Sequence, residues 1–304
     1  MTNLRAGVVG AGVFGGYHAK QYANRADVDL AGVFDVDQAR ARALAELLGA
    51  PVFATLEELI AASDVLSIAS PALFHAGQAL AALRAGRAVY VEKPIAADLE
   101  EADKIVAEAA RRGLVAACGH LERAVFRDMG LFAIPERPLR LEAVRNGPRS
   151  PRSLDVSVVL DLMIHDLDLA LTIAGAEPLA VEAEGAFEGN ATLDRLSAEA
   201  NFDNGFTALF ASSRVAEARE RTMHIVYPSG EVRIDFVTRA FTNTTPFSLE
   251  AGFSDTPGGK DPLGASLTAF LDAVRGRVAR PLATAAEGAK ALDLALAVEQ
   301  AVGN

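Results

Sequence analysis

The chain of 304 residues contains 51% hydrophobic and 23% charged residues, a composition typical of globular proteins, and its length predicts about two domains. Its formal net charge of −11, with no run of basic residues, argues against a nucleic-acid partner, because a duplex-binding surface needs clustered Lys and Arg. No stretch approaches ~18 uninterrupted apolar residues, so we expect no membrane partner. The first residues lack the layout of a signal peptide, and the single cysteine excludes an internal disulfide. We therefore expect a cytoplasmic protein.

Short β-rich runs alternate with helical patterns in the first part of the chain. The predicted elements, in chain order, are a strand at Leu4–Val9, a helix at Val13–Ala23, a strand at Leu30–Phe34, a helix at Gln38–Leu48, a short strand at Val52–Phe53, a strand at Val65–Ala69, a helix at Phe74–Leu83, a strand at Ala88–Val91, a helix at Leu99–Arg111 and a strand at Leu114–Cys118. Alternation at this spacing predicts a parallel sheet with helices on both faces. We therefore expect a doubly wound α/β domain over residues 1–122.

The pattern changes after residue 122, where strands follow one another directly. The predicted elements are a strand at Leu139–Arg145, a mostly apolar helix over 156–174, several strands between Leu193 and Phe236 with turns at Asn204-Gly205 and Tyr227–Gly230, an exposed loop at Thr256–Gly264, and closing helices at Ala265–Arg275 and Ala285–Val302. Residues 123–304 are thus predicted to form an α+β domain with an open, mainly antiparallel sheet.

A glycine motif, Gly10-Ala11-Gly12-Val13-Phe14-Gly15, joins the first predicted strand to the first predicted helix. Gly10 would permit the tight turn, Gly12 would let the backbone approach a pyrophosphate, and Gly15 would let helix and strand pack closely. The helix start at Val13 and Phe14 offers free N–H groups and a positive dipole to phosphates. This context predicts a dinucleotide site, whereas the alternative is an ordinary glycine turn.

Asp35 lies 20 residues beyond Gly15, at the end of the second predicted strand. A carboxylate at this place would accept hydrogen bonds from the adenosine ribose and would repel a 2′-phosphate. We therefore expect NAD as the cofactor rather than NADP, although Arg40 and Arg42 keep NADP open.

Candidate binding residues follow three later predicted strands. They are Ser70, Pro71 and His75 after one strand, Glu92 and Lys93 after the next, and Gly119 and His120 after the last. Ligands of open parallel sheets bind at the carboxyl ends of the strands, so these residues are expected to line the cofactor crevice. Taken singly, each is an ordinary loop residue.

The apolar helix predicted over 156–174 carries a stripe of titratable residues. Asp161, His165 and Asp168 are spaced i, i+4 and i+7 and so share one helical face. An imidazole is suited to accept a proton near neutral pH, and Asp161 would hold His165 or bind a substrate hydroxyl. The alternative is a core histidine satisfied by a neighbouring carboxylate.

These motifs together resemble the glucose–fructose oxidoreductase / inositol dehydrogenase (Gfo/Idh/MocA) family over nearly the whole chain. The resemblance rests on the glycine motif, Ser70–His75, Ala85–Pro94, Gly119–Arg123, Asp161–His165 and Asp261–Leu263. Its specific parts are Glu92-Lys93-Pro94 at a strand end and the later Asp-x-x-x-His.

The resemblance implies a Rossmann domain followed by an α/β domain whose sheet commonly mediates homodimers or homotetramers. It implies NAD-dependent hydride transfer to or from a secondary alcohol of a sugar, cyclitol or sugar nucleotide. Lys93, Asp161 and His165 are then the catalytic and substrate residues, with His120 and Arg123 as further substrate contacts. The segment Arg145–Ala170 is similar to members that oxidise the 3-position of UDP-N-acetylglucosamine-type substrates. Met163, and Ala124-Val125, depart from the usual pattern at the pocket wall, so the substrate stays open.

Several alternatives remain at this stage. Either Lys93 or His165 would accept the proton, and a charged Lys93 would instead stabilise developing negative charge. Arg145, Arg149 and Arg152 suit a diphosphate or, alternatively, a solvated loop. A glycoside hydrolase that uses NAD transiently, or a non-catalytic dinucleotide sensor, would share the fold. The histidine spacing predicts no metal site.

Overall fold

The computed structural model describes residues 3–150 and 156–302. Two compact units are present, one formed by the chain up to Leu121 together with Asp261–Ala289, the other by Glu122–Lys260 together with the chain from Lys290.

The first unit contains a parallel sheet of five strands in the order β2-β1-β3-β4-β5. Its strands are β1 (Leu4–Val9), β2 (Val28–Phe34), β3 (Val65–Ile68), β4 (Ala88–Val91) and β5 (Ala116–Cys118), and its helices include α1 (Val13–Ala23), α2 (Gln38–Leu48), α3 (Leu56–Ala62), α4 (His75–Arg84) and α5 (Leu99–Arg112). The central strands β3 and β4 are buried along their whole length, as expected for a sheet covered on both sides.

Local chemistry explains where these helices begin. Asp98 caps α5 by accepting a hydrogen bond from the Glu101 amide at 2.8 Å. Thr55 and Glu58 form a reciprocal capping box at the start of α3, a helix that the sequence analysis missed although this signal was present. The strand predicted at Val52–Phe53 is reduced to one parallel bridge between Val33 and Val52.

The second unit contains a mixed sheet of seven strands in the order β12-β11-β10-β6-β9-β8-β7. Its strands are β6 (Arg140–Asn146), β7 (Pro178–Ala186), β8 (Arg195–Phe202), β9 (Thr207–Ser213), β10 (Glu220–Tyr227), β11 (Gly230–Asp235) and β12 (Ala240–Asn243); the remaining helices of the chain are α6 (Glu122–Met129), α7 (Ile164–Ala174), α8 (Pro257–Lys260), α9 (Pro262–Val274) and α10 (Ala285–Ala301). Within the described residues β6 and β9 run parallel and the other neighbours antiparallel. The predicted α/β fold class is thereby confirmed.

Alternation along the strands places one sheet face against α7. In β8, for example, Leu196, Ala198, Ala200 and Phe202 are buried and belong to the same apolar cluster as Ile164 and its neighbours. The predicted hairpin at Asn204-Gly205 is confirmed, since it joins β8 to β9 and Gly205 has a φ of +83°. The helix predicted over 156–174 opens with a π-helical turn, Val159–Met163, before α7.

The prediction of an exposed loop at Thr256–Gly264 is wrong. This segment contains α8 and the first turn of α9, which Asp261 caps by accepting a hydrogen bond from the Gly264 amide at 2.9 Å. Gly259 is buried, and a Cβ there would lie 1.9 Å from the carbonyl oxygen of Phe253, so no larger residue fits. Its glycines therefore serve close packing instead of a turn. In the described part of the chain, no helix has the length and apolarity needed to cross a membrane.

Candidate active site

The glycine loop between β1 and α1 leaves no room for side chains at two of its three glycines. Gly10 has a φ of +96°, and a Cβ on Gly15 would lie 1.8 Å from the carbonyl oxygen of Gly10. A Cβ on Gly12, in contrast, would meet open space. Val13 and Phe14 are about half exposed where α1 begins. The backbone at the start of α1 is therefore open to a phosphate group, which fits a dinucleotide.

Asp35 stands directly beside this loop. Its carboxylate accepts hydrogen bonds from the Ala11 amide at 2.6 Å and from the Asp37 amide at 2.8 Å. A carboxylate has about four acceptor positions, so these two bonds leave capacity for ribose hydroxyls. The residues at the end of β2 thus fit an adenosine ribose without a 2′-phosphate.

His75 fixes the loops that follow β3 and β4. Its Nδ1 lies 2.8 Å from the carbonyl oxygen of Pro94 and its Nε2 lies 2.8 Å from that of Ser70. Burial lowers the pKa of His75, and a neutral ring donates a hydrogen bond to only one of these two carbonyl oxygens while contacting both. Ser70 is partly buried and Pro71 is exposed. The histidine therefore joins the two loops that the sequence analysis assigned to the cofactor crevice.

Glu92 directly follows the last residue of β4 and is held by buried side chains. Its Oε1 lies 2.8 Å from Nε2 of His18, whose Nδ1 lies 3.0 Å from Oγ of Ser67. Burial raises the pKa of Glu92, but the hydrogen bond and charge of His18 outweigh that effect and lower it overall. A Cβ on Gly119 would lie 2.8 Å from Glu92 Oε2. This buried arrangement fixes the backbone that carries Lys93, which is itself partly exposed.

In the second unit, His165 belongs to a cluster of four polar residues, here called the His165 cluster. Nδ1 of His165 lies 2.8 Å from Oε2 of Glu122, and Oε1 of Glu122 accepts a hydrogen bond from Nη1 of Arg145 at 3.0 Å. Arg145 donates two further bonds of 2.9 Å each to the carboxylate of Asp166. The cluster thus links α6, β6 and α7 around one imidazole.

The electrostatics of this cluster determine which nitrogen of the neutral His165 ring carries the proton. Burial raises the pKa of Glu122, but the charges of His165 and Arg145 hold it well below its usual range. An ionised carboxylate only accepts hydrogen bonds, so Nδ1 of His165 must donate to it. In the neutral ring Nε2 is then the acceptor, which is the state a general base requires.

The predicted stripe of Asp161, His165 and Asp168 is divided by the fold. Asp168 is buried in a bidentate ion pair with Arg123, with bonds of 2.8 and 2.6 Å. Asp161 lies in the π-helical turn and is partly exposed. Arg123 and His120, predicted as substrate contacts, are both buried. Their predicted contacts with substrate stay predictions.

Glu122 was not predicted as a site residue, and Arg145 was predicted only as a diphosphate or loop residue and not as the partner of Glu122 and Asp166. A signal was available for Glu122, because it follows the last parallel strand within the quoted Gly119–Arg123 segment. The solvated-loop interpretation is wrong for Arg145, which lies on β6 and is 3% exposed. Arg149 is exposed, and Arg152 lies outside the described residues. Over the described ranges, no group of three or more His, Cys, Asp or Glu side chains is arranged to hold a metal ion.

Two family models match the chain. One is described as an oxidoreductase family with an NAD-binding Rossmann fold and matches residues 4–120; the other, the GFO/IDH/MocA C-terminal domain, matches residues 138–233. The predicted NAD cofactor and oxidoreductase class are thereby confirmed.

Individual relatives agree with the family models. A UDP-N-acetylglucosamine 3-dehydrogenase of Acidithiobacillus ferrooxidans is 36% identical, covering 99% of this chain and 98% of the relative. An inositol 2-dehydrogenase of Cereibacter sphaeroides is 33% identical over 55% of this chain and 52% of its own length. A solved structure of the Acidithiobacillus enzyme superposes with a TM-score of 0.91, covering 99% of this chain and 98% of that one. The NAD complex of GenD2 from gentamicin A biosynthesis, at 22% identity and a TM-score of 0.86, covers 100% of this chain and 95% of its own and shares the fold.

We expect NADH to bind more tightly than NADPH, because the 2′-phosphate would meet the carboxylate of Asp35. Fluorescence titration of both nucleotides measures the ratio of the NADPH dissociation constant to the NADH dissociation constant. Asp35→Ser should reduce that ratio on the order of tenfold, which corresponds to a loss of about 1.4 kcal/mol of the preference for NADH. Asp29→Asn removes the same charge from the other end of β2 and should leave the ratio unchanged. Tighter binding of NADPH by the unaltered chain would contradict the assignment.

Proposed function

The chain belongs to the Gfo/Idh/MocA family of NAD-binding oxidoreductases, and from this premise we propose that it oxidises the 3-hydroxyl of UDP-N-acetylglucosamine or a closely similar nucleotide sugar. The observation that carries the substrate proposal is the 36% identity to a UDP-N-acetylglucosamine 3-dehydrogenase over 99% of this chain and 98% of the relative. The inositol 2-dehydrogenase of Cereibacter sphaeroides aligns with 55% of this chain.

His165 is proposed as the proton acceptor. Oxidation of a secondary alcohol requires loss of a proton from oxygen, and NAD, when bound, supplies the hydride acceptor. Nδ1 of His165 lies 2.8 Å from Oε2 of Glu122 and donates to it, so Nε2 is the ring nitrogen that would receive that proton. The imidazolium that forms would be stabilised by the adjacent carboxylate.

Lys93 is proposed to hold the reacting oxygen. Its ammonium would stabilise the negative charge that develops on that oxygen as the proton leaves. The backbone before it is fixed by Glu92 and His18, so its position costs little reorganisation. Asp161, His120 and Arg123 are proposed as substrate contacts. His75, Ser70, Pro71 and Glu92 complete the proposed cofactor site.

The division of labour between the two halves of the chain is part of the proposal. Residues 1–122 would bind NAD, and residues 123–304 would bind the sugar and form the contacts of a homodimer or homotetramer, as members of the family commonly do. A cytoplasmic location is proposed because the chain contains a single cysteine, Cys118, which cannot form a disulfide within the chain.

The direct test is incubation of the purified protein with NAD and UDP-N-acetylglucosamine. We expect NADH absorbance to rise and a product to form that has lost two hydrogen atoms, detected by mass spectrometry. Free N-acetylglucosamine and myo-inositol serve as comparison substrates. Turnover of myo-inositol without turnover of the nucleotide sugar would refute the substrate. Release of UDP or of the sugar without net NADH would instead identify the hydrolase.

Replacing the two proposed catalytic side chains should abolish turnover without abolishing NADH binding. Lys93→Met and His165→Ala should each lower kcat by roughly 10²–10⁴-fold, the usual contribution of a positioned acid or base. His224→Ala is the matched control, because His224 also lies 2.8 Å from a glutamate, Glu231, but on the opposite face of the sheet from the His165 cluster. A near-normal rate in either variant would remove that residue from the mechanism.

Glu122→Gln should change the pH dependence of the reaction. Glu122 has a lowered pKa and stays ionised near neutral pH, where its charge favours protonated His165. Removing that charge makes the imidazole easier to deprotonate, so the acid limb of the kcat/KM profile should move to lower pH. The rate at the optimum should fall on the order of 10–100-fold, because the ring loses its orienting acceptor. Glu231→Gln, the same change beside His224, should alter neither; an unshifted profile in Glu122→Gln would disprove the positioning role.

A further inference from the structure

Arg221 lies directly opposite Arg145 in the sheet of the second unit. The two residues are register partners on the antiparallel strands β10 and β6, so their side chains emerge on the same face. On that face of β10 the following residues, Met223 and Ile225, are buried. Arg221 therefore brings a second guanidinium to the side of the sheet that holds the His165 cluster.

The acceptors around this pair are committed to Arg145. Asp166 receives two of its hydrogen bonds and Glu122 receives a third, while Glu122 also holds His165. Among the described residues, Nε of Arg221 is buried and has no hydrogen-bond partner. Burial and the charge of Arg145 lower the pKa of Arg221, and the opposing charges of Glu122 and Asp166 only partly offset them.

This arrangement is unfavourable for the protein alone. Like charges directly opposite on neighbouring strands destabilise a sheet, and a buried donor without an acceptor carries its full desolvation penalty. A water molecule would satisfy the donor but would leave the repulsion between the guanidinium groups of Arg221 and Arg145. An anion with several oxygens would remove both costs, and a guanidinium fork matches phosphate geometry.

We propose that Arg221 binds a phosphate group of the substrate, so that the enzyme requires a phosphorylated sugar or sugar nucleotide. The inference rests on the proposed function for the identity of the reacting group. Arg221 faces Arg145 across the two strands, Arg145 donates a hydrogen bond to Glu122, and Glu122 accepts another from His165. The phosphate site and the proposed base therefore belong to one contiguous polar cluster. In a sugar 1-phosphate the anomeric phosphate and the 3-hydroxyl belong to the same ring, as two adjoining sites require.

The test is ligand binding to the NADH-saturated enzyme, measured by isothermal titration calorimetry. Saturation with NADH prevents the ligand from occupying the dinucleotide site. The ligands are UDP and glucose 6-phosphate, two sources of the same phosphate chemistry, with uridine and glucose as neutral counterparts. We expect UDP or glucose 6-phosphate to bind more tightly than its neutral counterpart. The stronger of the two then identifies a nucleotide diphosphate or a simple sugar phosphate.

Arg221→Met should weaken binding of that phosphorylated ligand on the order of 10–100-fold, as expected for loss of a hydrogen bond to a charged group. Arg221→Lys, which keeps the charge, should lose less. Arg233→Met is the matched control, because Arg233 is register partner of His224 and lies on the other face of the sheet. Unchanged affinity in Arg221→Met, or no phosphate preference in the unaltered enzyme, would overturn the inference.

The melting temperature of the ligand-free protein separates a binding role from a structural one. Arg221→Met removes a cation that is repelled by Arg145 and whose Nε has no acceptor in the described part of the chain, so its melting temperature should be unchanged or higher, whereas loss of a structural arginine would lower it. A lower melting temperature together with unchanged affinity would assign Arg221 to the fold. Because these measurements need no turnover, they separate the phosphate site from the proposed reaction. If UDP-N-acetylglucosamine is not oxidised but phosphate binding depends on Arg221, the site stands and only the sugar is wrong.

Discussion

The carboxylate of Glu122 is the group on which the second unit depends, because it accepts a hydrogen bond from His165 with one oxygen and from Arg145 with the other. Arg145 is 3% exposed, so its charge is stabilised only by Glu122 and by Asp166 within the described residues. Breaking such a buried pair by removing one partner typically costs about 3–5 kcal/mol. The contact that orients the imidazole therefore also holds α6, β6 and α7 in register. The geometry of the proposed base and the local stability of the second unit therefore depend on one ion-pair network.

The first unit also contains a histidine–glutamate contact, but there the histidine supports the carboxylate. There the imidazole of His18 is fully buried and supports a carboxylate, Glu92, at the end of β4. The supported group is next to Lys93, and the hydroxyl of Ser67 completes the network from β3. In each unit a histidine–carboxylate contact sets the position of a charged or titratable side chain; the His18–Glu92 contact is buried, and the His165–Glu122 contact is partly exposed. Such support explains how both proposed catalytic residues are preorganised before any ligand binds.

The two arginines of the second sheet show how stability and recognition diverge. Arg145 is fully compensated, whereas its register partner Arg221 has a buried nitrogen without an acceptor in the described structure. A protein selected only for stability would not keep two guanidinium groups opposite each other. Violations of this kind are expected at functional sites, where a ligand supplies the missing interaction. The buried donor of Arg221 without an acceptor in the described structure therefore points to the chemistry of the proposed substrate, which the apolar core does not.

The sequence by itself determined the features that depend on short spacings. The glycine motif, the carboxylate of Asp35 and the alternation of strands and helices are local patterns, and the structure shows the loop, the strand end and the parallel sheet that they predict. Only the tertiary structure decided which carboxylate holds His165. The helical spacing favoured Asp161, four residues away, whereas the carboxylate that lies 2.8 Å from Nδ1 of His165 is that of Glu122, 43 residues away in the sequence. Contacts between distant elements depend on how strands and helices pack, and that packing is not encoded in the spacing of any single segment.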